Sequence, residues 1–475
     1  MLRTNLLRTT AFAGVIAFAS TGAIAQTLYA GGSTLAQPTY ALEFTEIQAV
    51  NPGLTYDYYG VGSGKGQTAF LNNDSTQFGL AAGLPVAFGA SDAALSTAQA
   101  AAWSTSGQQA LAGNLIQLPI FGTPVTLAFE PGAVGTVKLK NTTKTTKGVT
   151  TTNGSATFKA FAKNGAVTLT DADLLGIFSG KITDWSQISA STTLAAGSYI
   201  GTAPAVTSTT GTSITQQASP IKVVVRGDGS GTTFLFTQHL AAVQAANPGA
   251  TAPGVTFTTT KTFSSIFGGT LPSNFDQQTG SGGVATELET TAGAIGYLSP
   301  DYTSIATASA NSAHNTLLVA KVANATTGLG VLPNTSGTKA AMKTATFAVT
   351  DATSGANPVN WVPLVANPTA GYPIVGYTEA LFAQCYSNTS IAAAVKLFIN
   401  GNISTSAIPS FISGVAPDGV VLADNGFVPV PSAIAKLVTA HIVGNTGKAA
   451  TKTAPATYWN LDIGNATACK GLAGR

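Results

Sequence analysis

Apolar residues along this chain come in short runs, and several of these runs end in glycine and hydroxyl residues just before a helix-like stretch begins. Thr39 to Val50 has the spacing of a helix and closes on Asn51-Pro52-Gly53. "LTYDYYGVGSGKG" reads as a strand entering a glycine-rich turn, with a helix expected around Gly66 to Leu71. "QFGLAAGLPVAFGASDAALS" holds another apolar strand and an acid-bearing turn, and Asn114 to Glu130 is a long strand-like run broken by proline and glycine. "LTDADLLGIFSGKITDWSQI" predicts a helix that starts at Thr170, with Asp171 and Asp173 in its first turn. "IKVVVRGDGSGTTFLFTQHLAAVQAANPG" reads as strand, turn and helix, closed by Asn247-Pro248-Gly249. "GSGGVATELETTAGAIGYLSPDY" gives a glycine-rich start, a short helix and the strand Ala294 to Leu298. "WVPLVANPTAGYPIVGYTEALF" predicts a second strand able to cross between domains.

Alternating strands and helices predict an α/β protein with mixed sheets. Lys138 to Gly165 and Ser189 to Pro220 break the pattern, being rich in Thr, Ser and Gly with little periodicity. They read as β-rich insertions or long surface loops. A length of 475 residues exceeds one ordinary core, so two or more domains are expected. Charged residues are only 9% of the chain and the formal net charge is +3, which supplies no basic face for nucleic acid.

Residues 1–25 carry Arg3 and Arg8, an apolar segment from Ala11 to Ala19, and Ala23-Ile24-Ala25. That order predicts a signal peptide cleaved after Ala25, hence a periplasmic or extracellular protein. No later segment is long and apolar enough to predict a membrane span in the mature chain. The two cysteines, Cys385 and Cys469, read as one disulfide in an exported protein, or as two buried thiols. The three histidines are scattered, and no His/Cys cluster has metal-ligand spacing, so neither a metal nor a cofactor is expected.

Three clusters stand where a strand gives way to a helix: "GGSTLAQP" (Gly31 to Pro38), "GVGSGKG" (Gly60 to Gly66) and "RGDGSGTT" (Arg226 to Thr233). Helix N-termini offer unpaired N–H groups and partial positive charge, glycine admits close approach, and Ser/Thr add hydroxyl donors. Together these are the parts of an anion site, although each cluster alone also reads as a plain turn. "GVGSGKG" lacks the gap and the following Ser/Thr of a nucleotide-binding loop, and neither Ser63 nor Ser230 has the preceding glycine of a nucleophile elbow. Arg226 suits a bidentate contact to an oxyanion, or a surface ion pair with Asp228. Asp92 in "GASD" would repel an ordinary anion but can accept a hydrogen bond from a protonated one; the other reading is a turn or cap residue. Phosphate at neutral pH carries such a proton and sulfate does not.

The chain resembles the periplasmic phosphate-binding proteins, the solute receptors of ABC phosphate importers, and within them the DING proteins. The resemblance is carried by "GVGSGKGQTAFLNND" (Gly60 to Asp74), "FSGKITDWSQI" (Phe178 to Ile188), "GYPIVGYTEALFAQCY" (Gly371 to Tyr386) and "NLDIGNATACKG" (Asn460 to Gly471), and it spans nearly the whole mature chain. It implies phosphate ligands at Thr34 and Leu35, Ser63, Asp92, Arg226, Ser230, Gly231 and Thr232, with Asp228 holding the arginine fork. It also implies the two-lobed periplasmic-binding-protein fold (Venus-flytrap, type II), with mixed sheets, flanking helices and a ligand cleft. Lobe one would comprise 26–122 and 361–475, and lobe two 123–360. The disulfide Cys385–Cys469 would pin the C-terminal tail. Three features depart from the DING pattern: Asp228-Gly229 where many members carry glutamate and serine, no D-I-N-G opening, and Leu175 where a first disulfide would begin.

The resemblance implies a monomeric receptor that captures inorganic phosphate, for an ABC transporter permease or for scavenging outside the cell. Two alternatives stand beside it: an alkaline-phosphatase-like phosphomonoesterase, and a secreted surface or structural protein with a retained phosphate site.

Overall fold

The computed structural model describes residues 26–50, 53–129, 134–145, 148–159, 164–165, 167–188, 192–194, 198–200, 212–216, 220–306, 316–403, 418–444 and 459–475. The expected signal segment 1–25 lies outside the described residues, as do parts of both Thr-rich stretches.

Two mixed sheets organise the protein as a two-domain α/β fold. The first has six strands in the order Val428–Pro429, Leu115–Pro124, Val375–Ala383, Val86–Ser91, Gln26–Gly32, Leu54–Gly60. Its last three strands run parallel to one another, and Val375–Ala383 runs antiparallel to both its neighbours. The second has five strands, in the order Phe275–Gln278, Lys222–Arg226, Ala294–Leu298, Thr126–Phe129, Leu318–Val319. Here the first three strands are parallel and Thr126–Phe129 is antiparallel.

Strands Val86–Ser91 and Leu115–Pro124 are buried at every position. That accounts for their unbroken apolar runs, since sheets covered on both faces need no alternation. Helix Thr389–Ile403 covers the first sheet through Phe398, whose ring stacks on Phe88 with centroids 4.9 Å apart. In the second domain Phe178, Phe236, Phe263 and Tyr297 form the equivalent aromatic core. The Thr170 side chain accepts from Asp173 N while the Asp173 carboxylate accepts from Thr170 N, the reciprocal cap expected there.

The single strand-like run Asn114 to Glu130 becomes two strands in different sheets. Between them Val125 leaves the first ladder and gives its N–H to Ile374 O at 2.8 Å. The passage from one sheet to the other therefore lies at Pro124–Thr126, beside the run Trp361 to Phe382 that was expected to cross between domains. Helix Thr335–Met342 and the turn Pro358–Trp361 pack on strand Leu115–Pro124. Helix 37–50 begins at Gln37, two residues ahead of the expected start, because Pro38 is tolerated in a first turn. In the Thr-rich stretches the described backbone forms a three-stranded antiparallel sheet of Val134–Thr145, Gly148–Lys159 and Thr212–Gln216.

Cys385 and Cys469 form a disulfide across 84 residues. It fastens the C-terminal segment just beyond strand Val375–Ala383, where Arg475 N also donates to Cys385 O at 2.9 Å. No helix among the described residues is long and apolar enough to cross a membrane.

Candidate functional site

Parallel strands deliver their carboxyl ends, and the helix starts that follow, to one edge of a sheet. In the first domain that edge carries Ser33-Thr34-Leu35 after Gly32, Gly62-Ser63 after Gly60, and Asp92 after Ser91. In the second it carries Arg226, Ser230 at the cap of helix Gly231–Gln244, and Ser281 at the start of helix Gly280–Thr290. The two edges meet. Gly64 N donates to Gly229 O at 2.9 Å, and Thr34 Oγ1 accepts from Ser281 N at 3.2 Å.

Asp92 is 1% exposed. Its Oδ2 accepts from Ser33 Oγ at 2.7 Å and Ser63 Oγ at 3.3 Å, and its Oδ1 accepts from Thr378 Oγ1 at 2.8 Å. A carboxylate has about four lone-pair positions, so one acceptor position remains, on Oδ1. Burial raises the Asp92 carboxyl above its ordinary value, and the hydroxyl donors and the Arg226 charge pull it only part of the way back. A carboxylate in that condition is a strong acceptor for a ligand that brings its own proton.

Arg226 is 2% exposed and lies opposite. Its Nε donates to Asp228 Oδ1 at 2.7 Å, and a second guanidinium nitrogen donates to Asp228 Oδ2, a bidentate pair. Asp228 also accepts from Gly280 N at 3.0 Å. Burial works against the Asp228 charge, yet the hydrogen bonds and charge of Arg226 hold this carboxyl below its ordinary value. The backbone N of Arg226 donates to the Tyr297 hydroxyl, which burial pushes up to about 12, so it stays a neutral hydrogen-bonding group. The remaining guanidinium face points to Ser281 Oγ at 3.5 Å. The arginine is thus fixed by one carboxylate with N–H donors to spare.

Ser230 accepts from Thr233 N at 3.1 Å, capping its helix. Helix geometry then leaves the N–H groups of Gly231 and Thr232 without intrahelical acceptors. Thr232 Oγ1 is buried with no hydrogen-bond partner. Two glycines set the distance between the domains here. A Cβ on Gly62, which has φ 91°, would meet Asp228 Oδ2 at 2.5 Å, and one on Gly231 would meet Ser63 Oγ at 2.5 Å and Asp92 N at 2.6 Å.

The structure therefore brings Thr34, Ser63, Asp92, Arg226, Ser230, Gly231 and Thr232 together, with Asp228 as the partner of Arg226. The Leu35 N–H, expected to face a ligand, is taken by Ser33 Oγ at 3.1 Å. Sequence reasoning missed Ser33, Ser281 and Thr378. Ser33 sits inside "GGSTL", and Ser281 inside a glycine-rich helix start like those singled out; Thr378, inside an apolar strand, gives no local signal. Such an arrangement can hold a small tetrahedral oxyanion between backbone dipoles, hydroxyls and one arginine, with a carboxylate placed to test whether the anion carries a proton.

Comparison with known proteins points the same way. The PBP superfamily domain matches residues 18–400. Alkaline phosphatase L of Pseudomonas aeruginosa is 30% identical over 96% of this chain and 95% of its own length. A phosphate-binding protein of an unknown prokaryotic organism is 31% identical, covering 93% of this chain and 98% of its own. Among solved structures, the high-affinity periplasmic phosphate-binding protein PfluDING, bound with phosphate, superposes with a TM-score of 0.65 at 30% identity, over 95% of this chain and 99% of that one. A phosphate-binding protein from Stenotrophomonas maltophilia gives a TM-score of 0.67 at 28% identity, over 95% and 100%.

Proposed function

The chain belongs to the PBP superfamily, among proteins of the DING type, and from that membership and its own site we propose that it captures inorganic phosphate. The observation that carries this reading is Asp92, a buried carboxylate with three hydroxyl donors in place and one acceptor position left, within reach of the charge of an Arg226 that Asp228 holds fixed. Only an anion that carries a proton satisfies both. Hydrogen phosphate gives its proton to Asp92 Oδ1 as a hydrogen bond and its unprotonated oxygens to Arg226, the Thr232 hydroxyl and the first N–H groups of helix Gly231–Gln244. Sulfate leaves Asp92 facing a bare oxyanion, and that repulsion in a dry site rejects it.

Binding is coupled to domain closure. The contacts Gly64–Gly229 and Thr34–Ser281 join the two domains beside the ligand, so the closed form encloses the anion and excludes water. The proposed lobes are 26–122 with 361–475, and 123–360, hinged where the chain passes between the sheets. The mature protein is delivered by the signal peptide to the periplasm or beyond, acts as a monomer, and hands phosphate to an ABC transporter permease or retains it as a scavenger.

The name of the Pseudomonas aeruginosa relative keeps a phosphomonoesterase in view. The three serine hydroxyls here are engaged as hydrogen-bonding groups, Ser33 and Ser63 with Asp92 and Ser230 with Thr233 N, and no general base stands against the free Thr232 hydroxyl among the hydrogen bonds of the described residues. His239, the histidine nearest in sequence to Arg226, is turned to Asp171 at 3.0 Å and Ala366 O at 3.1 Å. That geometry favours binding over turnover. A thermal melt separates the readings. Phosphate at about 100 times its Kd raises stability by about 2.7 kcal/mol, while equal sulfate does nothing. Sustained hydrolysis of a phosphate monoester that disappears in Arg226→Ala would instead establish the enzyme.

A further inference from the structure

One buried acid beside the site plays no part in holding the anion. Glu379 follows Thr378, whose hydroxyl donates to Asp92 Oδ1 at 2.8 Å. It is 2% exposed, and its Oε2 has no hydrogen-bond partner. Three other elements bring titratable groups toward it: Asp92 beyond strand Val86–Ser91, Tyr40 on helix Gln37–Val50, and Lys261 from the second domain. Lys261 does not pair with it. The lysine Nζ donates to Gln67 Oε1, and the Gln67 amide donates to Ser91 Oγ at 3.0 Å and to Ala93 O, on either side of Asp92.

The charges decide what state Glu379 must be in. Arg226 is already matched by Asp228. An ionised Glu379 would add a second buried negative charge beside Asp92 just as a phosphate dianion arrives, with Lys261 as the remaining cation among these groups. Like charges gathered in a dry site oppose one another.

We propose that Glu379 is the proton-linked group of this site: phosphate is held with the Glu379 carboxyl neutral, and binding takes up a proton wherever the free protein has lost it. The inference rests on the phosphate reading. Burial pushes the Glu379 carboxyl well above its ordinary value, the Asp92 charge pushes it further, and Lys261 opposes both. The sign follows. Below its value in the free protein the group is already protonated and binding moves no proton through it. As pH rises through its value in the free protein, the group ionises, the incoming anion forces the proton back on, and affinity falls by up to about tenfold per pH unit. Above neutral pH inorganic phosphate is already mostly the dianion, so its own ionisation adds little slope there.

The test is calorimetric titration of the mature protein with inorganic phosphate from about pH 8 to about pH 10, in buffers of different ionisation enthalpy, to count the protons taken up. The parent is expected to show uptake that grows with pH and an affinity that declines with it. Glu379→Gln is expected to lose both the uptake and the decline. Lys261→Met keeps the proton uptake and moves it to higher pH, because Lys261 favours the ionised form. Uptake that survives in Glu379→Gln, uptake that vanishes in Lys261→Met instead, or no uptake in the parent at any pH overturns the proposal while leaving phosphate capture intact. No phosphate binding at any pH overturns the functional reading itself.

Discussion

Gly231 is the sharpest place to perturb this site, because it separates closure from chemistry. It is the first residue of helix Gly231–Gln244 and offers the anion only a backbone N–H, which alanine retains. Its Cα faces the other domain. An added Cβ would sit 2.5 Å from Ser63 Oγ, 2.6 Å from Asp92 Cβ and 2.6 Å from Asp92 N. The hydroxyl can turn aside, but Asp92 N is backbone and Asp92 Cβ is fixed by three hydrogen bonds to its carboxylate. The domains must therefore stand apart by several tenths of an ångström. Overpacking of this kind costs about 1–3 kcal/mol, which weakens phosphate binding by about 5- to 150-fold. With the domains parted, nothing is crowded, so the free protein keeps its stability. The assay pairs calorimetric titration with melting in the absence of phosphate. A Gly231→Ala protein that binds as tightly as the parent refutes the reasoning, and so does one that already melts lower without phosphate.

Thr232→Val should give two opposite signs. The free protein gains slightly, because a buried hydroxyl with no partner is removed. Phosphate affinity falls by about 0.5–1.5 kcal/mol, read by melting and titration in parallel. Serine at both Cys385 and Cys469 should lower unfolding free energy by about 2–5 kcal/mol in chemical denaturation, with phosphate affinity preserved, because the disulfide fastens the C-terminal segment and does not touch the anion site.

Much of this site is legible in the sequence for a physical reason. An anion site built on helix N-termini needs glycine for approach and hydroxyls for caps, and those residue types cluster locally. "GVGSG" and "RGDGSGTT" therefore announce Ser63, Arg226, Ser230 and Gly231. What supports them is not local. Thr378 and Glu379 lie in the middle of a strand buried at all nine positions, where nothing in the apolar pattern marks a polar partner for Asp92. Lys261 reaches Gln67 across 194 residues, and Ser281 meets Thr34 across 247. The split of Asn114 to Glu130 between two sheets is hidden for the same reason. The proline and glycine announce a break, but only the pairing of Leu115–Pro124 and Thr126–Phe129 in different sheets shows that the chain changes sheet there.

Selective capture of phosphate at this site depends on Asp92 reading the proton of the ligand. The direct measurement is titration of the mature protein and of Asp92→Asn with phosphate and with sulfate, under identical buffer and ionic strength. Saturable phosphate binding with no sulfate binding in the parent, and sulfate binding gained in Asp92→Asn with a smaller loss for phosphate, is the predicted result. A parent that binds sulfate as well as phosphate, or a variant that still rejects sulfate, contradicts it.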